Sequence, residues 1–165
     1  MKQLIALMLI TALVLGVGAG VTHAYLTADD SAVNRLQVSG VEISVRENFQ
    51  PPKTFRPGVK IKKAPQVVSS SDTDCYVRMA VYFSDGQAEN FCEPLSVCEG
   101  WQAGDDGYYY WQEKVAPGQM TAPLFEMVQI RADAEKIQPF DILVYAEAVQ
   151  CGSLSAQDAW ETMKA

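Results

Sequence analysis

Regular alternation of side chains over nine residues is the feature that most limits how this chain can fold. One face of the segment from residue 75 to residue 83 is wholly apolar and carries Val77, Met79, Val81 and Phe83. A period of two is typical of a β-strand, whose successive side chains point to opposite faces. The segment from Phe140 to Val149 is apolar on both faces, which predicts a central strand in a sandwich.

Turn signals divide much of the remaining chain into further short strands. Apolar residues between Leu36 and Val45 change parity across Ser39-Gly40, which predicts a bulge or bend at Gly40 that keeps both halves facing one core. Residues 124 to 130 are predicted to form another strand. Glycine follows proline or aspartate at three predicted turns, which are Pro57-Gly58, Asp105-Asp106-Gly107 and Pro117-Gly118.

A helix-start signal lies near the end of the sequence. Ser155-Ala156-Gln157-Asp158 has the form of a capping box, and Ala159, Trp160 and Met163 can share one side of a short helix. Six or more short strands with one small helix predict an all-β fold. We expect an antiparallel β-sandwich with a short C-terminal helix.

The first 24 residues differ from the rest of the sequence. Lys2 precedes an almost unbroken apolar run from Leu4 to Val17, and Thr22-His23-Ala24 closes the segment. This is the layout of a secretory signal peptide, with cleavage expected between Ala24 and Tyr25. A retained membrane anchor is the alternative, because the apolar run approaches the roughly 20 residues that span a bilayer. Cleavage leaves residues 25–165 as a single β-sandwich domain, secreted to the cell surface or the extracellular matrix.

The charge of the chain limits its partners. It has 20 acidic and 13 basic residues, a net charge of −7. An acidic surface repels nucleic acid and anionic lipid. We therefore expect no nucleic-acid partner, and a membrane contact only through an uncleaved signal segment.

Four cysteines lie in the part of the chain expected to be exported. Since an even number in an exported protein favours disulfides, we predict Cys92 with Cys98 as a local clasp and Cys75 with Cys151 as a tie between strands. The other two pairings stay open. A zinc site is the alternative, but intervals of 16, 5 and 52 residues lack the paired C-x2-C spacing of structural zinc.

Candidate catalytic residues are few. His23 is the only histidine, and its expected removal leaves no imidazole for an H-E-x-x-H zinc site or for Ser/His/Asp or Cys/His catalysis. Neighbouring acids at Asp29-Asp30, Asp72/Asp74 and Asp105-Asp106 are carboxylate pairs of the kind that glycosidases use, although turn chemistry explains them more simply. Asp105-Asp106-Gly107 is a candidate for weak calcium binding without the full calcium-loop motif. We expect no catalytic residues, no cofactor and no metal site.

An aromatic cluster offers a possible sugar-stacking platform. Its members are Tyr108, Tyr109, Tyr110, Trp101 and Trp111. The simpler interpretation places alternate rings in the core, because successive strand residues point to opposite faces.

Short fragments in a particular order and spacing carry a resemblance to one family. They are Ala24-Tyr25-Leu26-Thr27, Asn34-Arg35-Leu36-Gln37-Val38-Ser39-Gly40-Val41-Glu42-Ile43, Arg56-Pro57-Gly58, Tyr76-Val77-Arg78, Tyr108-Tyr109-Tyr110, Pro117-Gly118, Pro123-Leu124-Phe125, Phe140-Asp141-Ile142 and Ala146-Glu147-Ala148-Val149-Gln150. In this pattern the chain resembles the TasA/camelysin family of exported Gram-positive proteins. The resemblance implies a jelly-roll-like sandwich and processing by a dedicated, SipW-type signal peptidase. It also implies assembly into biofilm fibres, as in TasA, or metallopeptidase activity, as in camelysin.

The segment from Tyr25 to Val33 is a candidate assembly arm, because it precedes the first convincing strand. Tyr25, Leu26, Thr27 and Val33 are the residues that we expect to pair with an exposed sheet edge of another copy. An arm that folds onto its own domain, or that stays disordered, is the alternative. The sequence therefore predicts a non-catalytic surface or matrix protein that acts by strand-mediated self-association or surface contact. A camelysin-like metallopeptidase and a carbohydrate-binding module are the alternatives.

Overall fold

Alternating apolar residues give much of the described chain an extended backbone. The structure is a computed structural model that describes residues 37–38, 41–52, 54–84, 86–135, 137 and 140–163. These residues form nine strands and two short helices. In chain order they are β1 (Gln37–Val38), β2 (Val41–Glu47), β3 (Lys60–Lys62), β4 (Pro65–Ser69), β5 (Cys75–Phe83), α1 (Ala88–Phe91), β6 (Trp101–Ala103), β7 (Tyr109–Trp111), β8 (Met127–Gln129), β9 (Ile142–Gln150) and α2 (Ala156–Thr162).

The largest sheet has four strands in the order β6-β7-β5-β9. Strands β5 and β9 run antiparallel along their whole lengths, from Cys75 opposite Gln150 to Phe83 opposite Ile142. The strand predicted at residues 75–83 is confirmed. The all-β fold with antiparallel sheets and a short C-terminal helix is confirmed as well, whereas jelly-roll connectivity stays a prediction.

Within the part of the chain that the structure describes, strand β9 lies at the edge of this sheet and not in the predicted central position. Among the described strands only β5 pairs with it. Its inward side chains, Val144, Ala146 and Ala148, are buried in the core. Its outward side chains Leu143 and Tyr145 are exposed. Apolar residues on both faces of β9 therefore reflect one buried face and one face that is partly open to solvent.

A second sheet has the order β1-β2-β4. Gln37 pairs with Glu42 and Val38 with Val41, so β1 and β2 form an antiparallel hairpin. The single strand with a bulge or bend at Gly40 was therefore a wrong prediction, because the chain reverses direction between Val38 and Val41. The parity change marks the reversal, and Gly40 itself lies outside the described residues.

A two-stranded sheet of β3 and β8 completes the set. Strand β8 covers only the middle of the strand predicted at residues 124–130, and Ile130 follows it as an isolated bridge to Cys92. Leu124, Phe125, Val128 and Ile130 are all fully buried. The apolar residues of this segment therefore indicated burial in the core more than a long paired strand.

One core joins the two larger sheets. Inward residues of β2, β4, β5 and β9 belong to one hydrophobic cluster, which includes Val41, Ile43, Val45, Val67, Val77, Met79, Val144, Ala146 and Ala148. The described residues all lie within the compact unit Val33–Ala165. The outward faces of the two sheets consequently point in opposite directions.

The predicted turns and the predicted cap are present. The amide of Val59 donates to Arg56 O at 3.2 Å, and Gly58 at φ +77° supplies the left-handed position of this turn. The turn at Pro117-Gly118 has the same form. Helix α2 begins as predicted, because Ser155 Oγ accepts a hydrogen bond from the amide of Asp158 at 3.2 Å.

Candidate functional site

The outer face of the four-stranded sheet brings together polar and aromatic side chains from distant parts of the sequence. Strand β5 contributes Tyr76, Arg78, Ala80 and Tyr82, and β9 contributes Leu143, Tyr145, Glu147 and Val149. We call this surface the outer face. Arg78 lies directly opposite Glu147, and Ala80 lies opposite Tyr145.

Arg78 and Glu147 form a double contact at one end of the outer face. Nε of Arg78 donates to Glu147 Oε2 at 2.8 Å, and Nη2 lies 2.6 Å from the same oxygen. The hydroxyl of Tyr108 donates to Glu147 Oε1 at 3.1 Å. Both carboxylate oxygens are therefore engaged, and the side chains of Arg78 and Glu147 are only 11% and 20% exposed.

Aromatic rings enclose the Arg78 guanidinium. Its carbon lies 3.9 Å from the Tyr108 ring centre and 4.6 Å from that of Trp160, which helix α2 supplies. The Tyr110 ring meets Trp160 edge to face at 5.8 Å. Because cation–π attraction strengthens when the cation is desolvated, these rings hold the guanidinium in place.

Asp106 completes this network from the turn between β6 and β7. Its Oδ2 accepts a hydrogen bond from the Tyr110 hydroxyl at 2.7 Å and lies 3.4 Å from Nη1 of Arg78. The hydrogen bond from Tyr110 holds the pKa of Asp106 below its usual value, with Arg78 adding to the effect. Burial and the hydrogen bond to a carboxylate raise the pKa values of Tyr108 and Tyr110. Near pH 7 Asp106 is therefore ionised, whereas Tyr108 and Tyr110 are protonated.

The other end of the outer face is apolar and open. Tyr82, Leu143 and Tyr145 are 51%, 43% and 41% exposed. The rings of Tyr82 and Tyr145 meet edge to face, with centres 5.5 Å apart. With Tyr108 and Glu147 these three side chains line a shallow groove of about 400 Å³. Sequence reasoning missed this groove, although the outward parity of residues 82, 143 and 145 in two apolar strands was its signal.

The predicted aromatic platform is divided between the two sides of the sheet. Tyr109 and Trp111 pack against the core, while Trp101 is buried and donates its indole N–H to Ala122 O at 3.0 Å. Tyr108 and Tyr110 point outward and contact Arg78. The simpler interpretation, with alternate rings in the core, describes this cluster.

All four cysteines are free thiols in the structure, so neither predicted disulfide is present. Cys75 belongs to the main core, whereas Cys151 packs with Tyr76 and Trp160 on the outer side of the sheet. The predicted tie between Cys75 and Cys151 is therefore absent, and the two thiols pack in different hydrophobic clusters. Cys92 and Cys98 are separate thiols, and burial raises the pKa of Cys92 to about 11.

Other predicted sites lie apart from this surface or outside the described residues. Within the described part of the chain, no three His, Cys, Asp or Glu side chains are grouped closely enough to hold a metal ion. Asp106 of the acidic turn is engaged with Tyr110 and Arg78. Asp29-Asp30, the cleavage site at Ala24 and Tyr25, and the arm residues Leu26, Thr27 and Val33 are outside the described residues.

The edge of β9 borders the outer face. No described strand pairs with its free side. Its sequence, ILVYAEAVQ, contains neither lysine nor proline, which commonly protect edge strands from pairing. The open groove and the open edge therefore lie side by side.

No protein-family model, curated protein or solved structure matches this chain. Neither described helix has the length and apolar character of a membrane span.

Proposed function

We propose that this chain is an exported, non-catalytic protein of the cell surface or extracellular matrix that self-associates through the edge of β9. The observation that carries the proposal is a nine-residue edge strand without a partner among the described strands. Unpaired N–H and C=O groups along such an edge are a template for another strand. The strand has one charged residue, Glu147, and Arg78 neutralises it.

Side chains next to this edge favour the same use. Leu143 and Tyr145 are exposed on β9 itself, beside Tyr82 on β5. A strand added to β9 would extend the sheet and cover part of this apolar surface, so backbone pairing and burial would act together. The assembly arm, residues 25–33, is a suitable source of that strand. The resemblance to the TasA/camelysin family supports an exported protein of this kind.

Charge placed on the outer face of β9 should prevent the association. We would express the full chain with export, purify the secreted protein, and compare wild type with Leu143→Lys/Tyr145→Lys by sedimentation and electron microscopy. The control Met120→Lys/Met127→Lys adds two lysines at similarly exposed apolar positions that do not lie on β9 or on β5. We expect assemblies for the wild type and the control, and monomers for the β9 variant.

Deleting residues 25–33 tests the arm separately. Loss of assemblies with an unchanged unfolding transition would support the arm as the added strand, whereas persistence of assemblies would exclude it. A monomeric wild type at high concentration would contradict the whole proposal. Incubation of the same protein with casein, with and without a chelator, tests the metallopeptidase alternative, which chelator-sensitive cleavage would favour.

The open groove supports carbohydrate binding as a second candidate function. Three tyrosine rings and one carboxylate line it, and apolar rings with a few polar groups are the usual lining of sugar and small-ligand sites. Pull-down on insoluble cell-wall polysaccharide would test it. Tyr82→Ala/Tyr145→Ala should abolish retention, whereas Phe49→Ala, which removes an equally exposed ring elsewhere, should leave it unchanged.

A further inference from the structure

The geometry points to a second interaction surface, on the opposite side of the sandwich, that binds a linear polyanion. It consists of Arg46 on β2 with Lys60 and Lys62 on β3, and we call it the basic stripe. The fitting partner is an extended polymer that carries phosphate or carboxylate groups. This surface is independent of the β9 edge.

Basic residues are concentrated in one short segment of this acidic chain. Residues 46–63 contain six of the 13 basic residues and a single acid, Glu47. The net charge of the whole chain, −7, therefore conceals a local excess of positive charge. Lys53, also in this segment, lies outside the described residues.

Strand register places the three cations on one outward face. Arg46 pairs with Gln66, and the same register continues to Gln50, whose amide donates to Lys62 O at 2.9 Å. Ile61 points into the core at 3% exposure, so its neighbours Lys60 and Lys62 point to solvent. Arg46 is likewise exposed beside buried Val45.

The only acid of the segment does not neutralise the stripe. Glu47 is engaged by Lys63 at 2.6 Å, and Lys63 itself is buried. Among the described residues, Arg46, Lys60 and Lys62 form no ion pair. Three exposed cations, one on β2 and two on β3, are thus available to an external anion.

Spacing and screening favour a polymer over a small anion. Lys60 and Lys62 are about 7 Å apart along one face of their strand, and Arg46 lies roughly 20 Å from Lys60 along the ladder. A single small anion cannot bridge the stripe, whereas successive charges of an extended polymer can. At physiological salt the Debye length is about 8 Å, so acidic groups elsewhere on the molecule are largely screened from the stripe.

Counterion release gives the expected salt dependence. With three cation contacts, the slope of log affinity against log salt is about −2 to −3. Affinity should therefore fall about 20- to 40-fold between about 50 and 200 mM salt. Removal of two contacts should leave a fall of only about threefold over this range.

The test uses the purified full chain with fluorescent inorganic polyphosphate, and with alginate as a carboxylate polymer. Affinity is measured at several salt concentrations for wild type and Lys60→Gln/Lys62→Gln. The control Lys114→Glu changes the net charge by the same amount at a position outside the stripe, over the Tyr76 ring. Far-ultraviolet circular dichroism checks that all three proteins are folded.

Binding with the full salt dependence in wild type and control, and with the reduced dependence in the stripe variant, would support the proposal. Binding of both polymers identifies a general polyanion site, and binding of polyphosphate alone identifies a phosphate polymer. Absence of binding at low salt, or equal weakening in the control, would overturn it. A third outcome would also overturn it. If no polymer binds, but the protein self-associates in a salt-sensitive way and the stripe variant does not, the stripe binds an acidic surface of a second copy.

Discussion

Replacing Arg78 with methionine should destabilise the protein far more than the loss of an ordinary surface charge. Arg78 is 11% exposed and makes two contacts to a Glu147 carboxylate that is itself mostly buried. Methionine keeps much of the apolar stem and can contact the rings of Tyr108 and Trp160, but it leaves the carboxylate without its cation.

The expected cost follows from these contacts. Removing one partner of a buried ion pair costs about 3–5 kcal/mol, and partial exposure of this pair places the value near the lower limit. Loss of the cation–π contacts adds to the cost, while methionine packing offsets part of it. We therefore expect Arg78→Met to lower the free energy of unfolding by about 3 kcal/mol, which is roughly 10 °C in Tm for a domain of this size.

Urea unfolding of Arg78→Met, Glu147→Gln and the double variant would measure this effect. A pair that acts as described gives a coupling energy of about 1–2 kcal/mol. The matched control is Arg131→Met, which breaks the ion pair to Asp133, whose side chains are 44% and 73% exposed. The control should lower the free energy of unfolding far less than Arg78→Met, because water screens this exposed pair. An Arg78→Met cost no larger than that of the control, or a coupling energy near zero, would refute the reasoning.

Three further predictions concern other parts of the fold. Gly100→Ala places a Cβ against the indole ring of Trp111 at φ +88°, so it should cost at least about 2 kcal/mol in thermal unfolding. Gly118→Ala should cost less, because its Cβ meets open space at φ +72°. Iodoacetamide should modify Cys98 of the native protein before Cys92, as followed by mass spectrometry, because Cys92 is more buried and its pKa is raised to about 11. The reverse order would contradict the packing. The folded-state pKa of Asp106 lies below 3.8, so its carboxylate stabilises the fold above pH 3.8 and loses this effect as pH falls through the folded-state pKa. The difference in free energy of unfolding between wild type and Asp106→Asn should therefore shrink in acid.

The sequence predicted strands from local patterns and failed where distant segments meet. Alternation gave the bounds of β5, and the capping box gave the start of α2. The edge position of β9 was missed because two arrangements give a strand apolar residues on both faces. The strand can be buried on both faces, or one of its faces can be an exposed apolar patch. Cysteine number and spacing likewise carry no information on which face of a sheet a thiol occupies.

The Arg78 network was missed for a related reason. Arg78 and Glu147 are 69 residues apart, and neither belongs to a local motif of charge or turn chemistry. Their one signal was that each is the only charged residue within an otherwise apolar strand. Two such lone charges of opposite sign predict a cross-strand pair once the strands are known to be neighbours.

This pair also explains how an edge strand with two apolar faces keeps one register. A shift of β9 by one residue would turn Glu147 into the core and expose Ala146 and Ala148. Apolar residues alone discriminate weakly between these registers, because Leu143, Tyr145 and Val149 could fill much of the same core. A carboxylate cannot, since burying it without Arg78 would cost several kcal/mol. The ion pair at one end of the outer face therefore fixes which residues β9 presents at the other end, and with them the edge through which we propose that copies associate.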